Sequence, residues 1–139
     1  MVPTRDQTGA SRAVFETAVA TVYAEDDGTV VLRFREGCRM TAENTPEVVS
    51  AHVAAAAGAK RPTLSDVRGI RAASREAREL AAGVEAASVT RCMAILVENP
   101  VSRVLGNLFI RVRRPGYPTR MFSDEGSARL WLRSSASED

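Results

Sequence analysis

Five consecutive apolar residues, Met93-Ala94-Ile95-Leu96-Val97, lie between Thr90 and Glu98 and constrain the fold more than any other stretch. A strand with one wet face alternates apolar and polar side chains, whereas an unbroken run reads as a central parallel strand covered on both faces. Parallel neighbours cannot be joined by a tight turn, so helices must precede and follow this strand. The sequence provides both.

On the N-terminal side stands Arg61-Pro62-Thr63-Leu64-Ser65-Asp66-Val67-Arg68-Gly69-Ile70. It reads as a buried strand over 63–67 and a tight loop turning at Gly69. A helix over about 75–82 follows, capped by Ser74 and closed by Gly83. On the C-terminal side Asn99-Pro100 starts a helix running to about Arg111, with Val101, Val104, Leu105 and Leu108 expected on its buried face. A short strand over 119–122 comes next. Ser123 then heads a final helix with acids in its first turn, docked through Leu130 and Trp131.

Upstream, the β-branched and aromatic run from Val14 to Ala24 suits one strand, and Asp27-Gly28 turns it into a return strand over 29–34. A helix over about 42–57 is expected after it, capped by Thr41 or Thr45, with Pro46 in its first turn. Val48, Val49, His52, Val53 and Ala56 share the face it lays on the sheet. The expected fold is α/β: an N-terminal hairpin, then alternating helices and strands, forming a mixed, mostly parallel five-stranded sheet with about four helices. One domain over 12–133 accounts for the 139 residues, with a flexible lead-in at 1–11 and a disordered tail at 134–139.

With 19 basic and 17 acidic residues the net charge is +2, which neither demands nor forbids a polyanionic partner. Lys60 is the sole lysine, a bias that reflects composition before chemistry. Cys38 and Cys92 stand far apart, without metal-site spacing or a neighbouring histidine, and read as reduced thiols. The polar N-terminus has no apolar signal-like core, and the longest apolar-looking stretch, 48–59, is interrupted by Ser50, His52 and Gly58. These features predict a soluble cytoplasmic protein without stable membrane insertion.

The glycine cradles of phosphate-loop and dinucleotide-binding proteins are absent, as is a nucleophile elbow. His52 is the one histidine, which leaves little for triad chemistry, and a lone histidine on a helix face is more often packing than a general base. No enzyme activity, cofactor or metal is expected. Asp66, at the C-terminal end of a strand, is the best carboxylate for binding, although such an aspartate commonly accepts loop N–H groups. Ser74 can cap its helix or carry a phosphate there. Arg68, Gly69, Arg71, Arg75, Glu76 and Arg78 surround these two residues in sequence, and Arg75 and Glu79 have the spacing of a solvated ion pair. A second basic group, Arg103, Arg111, Arg113, Arg114 and Arg120, falls in a stretch without acids between Glu98 and Asp124. Stacking aromatics are sparse there, so a solvated surface is expected and no nucleic-acid site.

Several stretches together resemble the SpoIIAA-like superfold of STAS (anti-sigma-factor antagonist) and Sec14-type domains. They are T-V-Y-A-E-D-D-G-T-V-V-L, R-P-T-L-S-D-V-R-G-I, S-R-E-A-R, A-I-L-V-E-N-P-V-S-R-V-L-G-N and Y-P-T-R-M-F-S-D-E-G-S-A-R-L-W-L, spanning about 14–133. In order and combination they are most similar to small bacterial STAS/SEC14-like proteins. In STAS antagonists a D-S-S-G at the start of the second helix carries a phosphorylated serine, around which a kinase-like anti-sigma factor docks. This chain has A-A-S-R-E-A instead: an ungapped count from Asp66 puts Glu76 at the phosphoacceptor position, and a two-residue shift puts Ser74 there. The resemblance implies a regulatory domain that meets a protein partner through residues 66–78. The Sec14 relationship implies the alternative of a small apolar ligand or lipid beneath the third helix. Pairing of two copies is a further expectation.

Overall fold

The computed structural model of the chain describes residues 13–113 and 116–136. In chain order the elements are β1 (Val14–Glu16), β2 (Ala20–Ala24), β3 (Val30–Phe34), β4 (Cys38–Met40), α1 (Thr45–Ala56), β5 (Arg61–Asp66), β6 (Ile70–Ala73), α2 (Arg75–Ala81), α3 (Val84–Ala87), β7 (Thr90–Leu96), α4 (Pro100–Arg113), β8 (Thr119–Phe122) and α5 (Glu125–Ala136). Six strands form the main sheet in the order β1-β2-β3-β5-β7-β8. The first three are antiparallel, and β3, β5, β7 and β8 run parallel.

The apolar run over 93–97 behaves as its composition requires. Met93, Ile95 and Val97 face one way, against Phe109 and Ile110 of α4. Cys92, Ala94 and Leu96 face the other way, with Val31 and Leu64, against Ala128 and Leu132 of α5. α1 packs on the first of these faces, over Ala20, Val22, Val30 and Leu32. Among the described residues, the helices α1 to α4 thus form one layer, the sheet the second, and α5 the third.

One expected strand is two. The run from Val14 to Ala24 breaks at Thr17, whose hydroxyl donates to the Ala20 carbonyl at 2.9 Å and accepts from the Val19 and Ala20 amides at 3.3 and 2.9 Å. That local bonding closes a turn and folds β1 back on β2, so the sheet has six strands and not five. The Asp27-Gly28 hairpin forms as expected. Gly28 takes φ 91°, and the Asp27 carboxylate accepts from the Thr29 amide at 2.9 Å.

Between β5 and α2 the chain makes a strand where a simple loop was expected. β6 pairs in parallel with β4 as a separate two-stranded sheet. Gly69 does not serve by a left-handed turn. A Cβ there would stand 2.7 Å from the Arg35 carbonyl oxygen and 2.9 Å from the Glu36 Cα, so glycine permits the close approach of two backbones. The Gly37 amide donates to the Gly69 carbonyl at 2.7 Å across this contact.

Helix boundaries shift for identifiable reasons. Thr41 and Asn44 bond reciprocally, amide to side chain, at 2.8 and 3.1 Å, which delays α1 to Thr45. Asp124, not Ser123, caps α5, its carboxylate accepting from the Ser127 amide at 2.8 Å. That helix docks through Ala128, Trp131 and Leu132, while Leu130 is exposed. It runs to Ala136, past the expected domain limit at Arg133.

The buried face of α4 differs most from expectation. Asn99 accepts from the Ser102 amide at 2.9 Å, and Ser102 Oγ accepts from the Glu98 and Asn99 amides at 2.9 and 3.1 Å. This capping cluster buries Ser102 completely and leaves Val101 and Val104 at 46% and 55% exposed. Leu105 lies on the inner face as expected, and Gly106 and Phe109 join it there in place of Val101 and Val104. A Cβ on Gly106 would come within 2.6 Å of Met121 Sδ, so this glycine lets α4 lie close to the sheet.

Candidate functional site

Asp66 ends β5 on the sheet face that α5 covers. Arg68 binds its carboxylate through Nε and a terminal nitrogen at 2.9 Å each, and Arg33 from β3 adds a bond of 3.0 Å. Arg33 also makes two bonds of 2.9 Å to Glu125 at the start of α5. Glu125 accepts from Arg129 Nε at 3.0 Å, and Arg129 binds Glu25 at 2.6 and 3.0 Å. The charges alternate along the chain of contacts Glu25, Arg129, Glu125, Arg33, Asp66, Arg68.

Such a network sets protonation states. The Arg33 bonds, with those from Arg129, hold Glu125 down at about 2 against the cost of partial burial. Burial raises Asp66, but the bonds from Arg68 and Arg33 outweigh it and leave the carboxyl below its ordinary value. Arg33 is raised, chiefly by its bonds to Glu125. Every carboxylate here is bound by guanidinium groups, which suits a structural clamp between β3, β5 and α5 better than proton transfer. Asp66 and Arg68 are legible as candidates in the sequence, whereas Arg33, Glu125, Arg129 and Glu25 are not, since their contacts span up to 104 positions.

The other residues expected beside Asp66 stand elsewhere. Ser74 opens α2 in the opposite layer, where its Oγ accepts from the Ala77 amide at 3.1 Å. Ala77 is the one buried residue of this helix. Arg71, Arg75 and Glu76 are exposed, and Arg75 lies 3.7 Å from Glu79 in the predicted i,i+4 pair. The single surface expected from 66 to 78 is therefore two: Asp66 and Arg68 belong to the α5 clamp, and residues 74–78 to the helix layer. β6 separates them, which no turn signal in the sequence announces.

The second basic group is divided in the same way. Arg103 and Arg111 are exposed on α4, while Arg120 stands on β8, beside Ala94 in register, with its guanidinium carbon 5.2 Å from the Phe122 ring centre. Arg114 and the side chain of Arg113 lie outside the described residues.

Beneath α2 and α4 the helix layer leaves a cavity of about 90 Å³ against the sheet. Its walls are mainly apolar, among them Leu32, Met40, Val48, Ile70, Met93 and Phe109. Four polar side chains reach it: Thr45, His52, Ser65 and Arg78. Burial pushes the His52 imidazole down to about 4, and its Nε2 lies 3.4 Å from Thr63 Oγ1. Thr45 Oγ1 and Arg78 Nε are buried and have no hydrogen-bond partner among the described residues. A buried donor left without a partner costs about 1–3 kcal/mol, so two of them at one cavity mark it as a site for something polar. Arg78 was singled out from the sequence for its place near Ser74; Thr45 was not, since it reads simply as a helix cap.

Among the described residues no helix is long and apolar enough to cross a membrane, and no group of three or more His, Cys, Asp or Glu is placed to hold a metal ion. A family model described as a domain of unknown function, DUF7793, matches residues 22–136. No curated protein matches the chain. Among solved structures, the chain is similar to an uncharacterised protein of the DUF3478 family with a SpoIIAA-like fold, from Shewanella loihica PV-4. The two are 16% identical, with a TM-score of 0.59 over 91% of this chain and 99% of that one. This likeness shows that the fold is SpoIIAA-like.

Proposed function

Since the chain belongs to the DUF7793 family and has a SpoIIAA-like fold, we propose that it is a non-enzymatic, STAS-like regulatory domain of the cytoplasm that works by docking a protein partner on its helix layer. One observation carries the reading. Among the described residues, four of the five large apolar side chains left exposed lie on consecutive helices of that layer: Leu80 on α2, Val84 on α3, and Val101 and Val104 on α4. Val84 is 85% exposed. Exposed apolar groups carried on the same helices as exposed charges such as Arg75, Glu76 and Arg103 have the composition of an interface. Ser74 serves this surface as a cap, fixing the first turn of α2. An anti-sigma or kinase-like protein is the partner that STAS analogy suggests, and a second copy of the chain is the rival occupant.

Affinity capture at native expression, with Leu80→Asp and Val104→Asp as controls, tests this. A stoichiometric partner captured by the wild type and lost with both folded variants supports it. Capture of nothing, or of the same proteins by all three, refutes it. Light scattering at the same concentrations separates a homodimer from a foreign partner.

A second reading, binding of a small apolar ligand, is favoured by the cavity under α2 and α4. Its size bounds the ligand. A cavity of about 150 Å³ holds one benzene, so the enclosed part, about 90 Å³, suits a handful of heavy atoms and is too small to hold a lipid chain within it. Native mass spectrometry of freshly purified protein tests this reading. A bound molecule well under lipid mass supports it, and a bound lipid contradicts the size argument.

A further inference from the structure

Among the described residues, Arg78 is the only charged side chain at the cavity wall, and no Asp or Glu lines it. Its Nε is buried and without a partner among the described residues, and so is the hydroxyl of Thr45, which lines the same space. His52, the other basic group at the wall, is held neutral by its burial. A guanidinium whose Nε is buried at the wall of a mainly apolar pocket favours an anion over a neutral guest, because charge-assisted bonds are about twice as strong as neutral ones. With one cation present, a second negative charge on the guest would go unpaired.

Resting on the ligand-binding reading, we propose that this cavity binds a short-chain monocarboxylic acid, the carboxylate meeting Arg78 and Thr45 and the alkyl chain lying among Met40, Met93 and Phe109. The enclosed volume is about three-fifths of a cavity that holds one benzene, which matches about four heavy atoms, and its open side leaves room for the five or six of propionate or butyrate. Two of the apolar walls are methionines, which adjust to a guest's shape at small cost. Arg78 and Ala81 belong to α2, so the acid touches the underside of the helix whose outer side chains are exposed. Occupancy is thereby coupled to the position of the proposed docking face.

Two probes of equal chain length, sodium butyrate and 1-butanol, separate the chemistry from the space. Amide and methyl NMR titrations follow each one up to about 50 mM, a range that covers millimolar affinity. The expected result is saturable butyrate binding with shifts at Thr45, Ala77, Arg78 and Ala81. Arg78→Leu should weaken butyrate at least about tenfold, the loss expected for a bond to a charged group, while leaving butanol unchanged or tighter. Arg78→Lys, which keeps the charge without the fork, should fall between the two and guards against a folding defect in the leucine variant. Butanol binding without butyrate binding overturns the acid and leaves the ligand reading standing. Equal butyrate binding by wild type and Arg78→Leu also overturns it, and no saturable binding of either probe removes both readings.

Discussion

Arg33 on β3 and Glu125 at the head of α5, 92 positions apart, face each other through two parallel bonds of 2.9 Å. The pair joins the sheet to α5, the only helix on that face among the described residues, and it fixes how the protein responds to acid. Glu125 is held at about 2 from an ordinary 4.5, so the folded state releases its proton more readily than the unfolded chain does. The resulting stabilisation is complete above pH 4.5 and disappears as the pH falls toward 2. Asp66, also lowered, acts with the same sign. Glu125→Gln should cost about 2 kcal/mol at neutral pH, since it leaves a half-buried guanidinium short of an anion. Urea midpoints at pH 7 and pH 3 check this: the gap between them should be smaller in the variant.

Gly69→Ala tests the contact on which the small β4–β6 sheet depends. The added methyl would meet the Arg35 carbonyl at 2.7 Å, and backbone atoms cannot swing aside as a side chain can. A loss of about 2–3 kcal/mol is expected, typical of forced overpacking. Since the Ser74 amide donates to the Met40 carbonyl, displacement of β4 should also loosen the start of α2. Hydrogen exchange at Ser74 and Ala77 should accelerate more than at Leu96 in β7. Uniform acceleration would mean that the glycine has no special place in that contact.

Ser74→Ala and Ser74→Asp should part company in thermal melts. The hydroxyl satisfies the Ala77 amide, so alanine removes a cap worth about 1 kcal/mol. Aspartate keeps an acceptor and adds a negative charge at the positive end of the helix dipole, so its stability should stay within about 0.5 kcal/mol of wild type. Equal destabilisation by both would show that α2 does not rely on this cap.

What the sequence disclosed follows from the range of the cause. The Asp27-Gly28 hairpin, the Ser74 cap and the doubly buried run over 93–97 each arise from a few adjacent residues, and all three are present. The α4 face was misjudged because periodicity weighs apolar residues alone. Ser102 goes inside through its capping bonds and Gly106 through its lack of a side chain, turning Val101 and Val104 outward. Arg33 and Glu125 carry no local mark of their pairing. The cavity is still less legible, since Thr45, Arg78 and Met93 come from three segments whose meeting only the assembled layers decide.

His52 should stay neutral at a pH where most histidines are half charged. Its burial lowers the imidazole from 6.5 to about 4, so the unfolded chain takes up a proton that the folded state refuses. This term is fully stabilising above pH 6.5 and fades as the pH drops toward 4, a window above that of Glu125. The ring proton resonances of the folded protein should not titrate between pH 7 and 5, and His52→Gln should flatten the stability profile over that interval. A ring titrating near 6.5 would show that His52 is reached by water.

Arg78→Met should make the protein more stable, unlike the other substitutions considered above. The substitution removes a buried donor without a partner and keeps an unbranched chain of similar reach against the same apolar walls. Relief of about 1 kcal/mol is expected, or about 3 °C in Tm for a domain of this size. A residue kept at the expense of stability is the mark of a site whose demand comes from a ligand and not from the fold. Calorimetry on carefully dialysed protein is the measurement: a higher Tm for Arg78→Met, together with loss of the Tm increase that butyrate gives the wild type, would assign the strain at position 78 to binding. A lower Tm would mean that Arg78 stabilises the helix layer itself, and the reason to look for an anion beneath α2 would be gone.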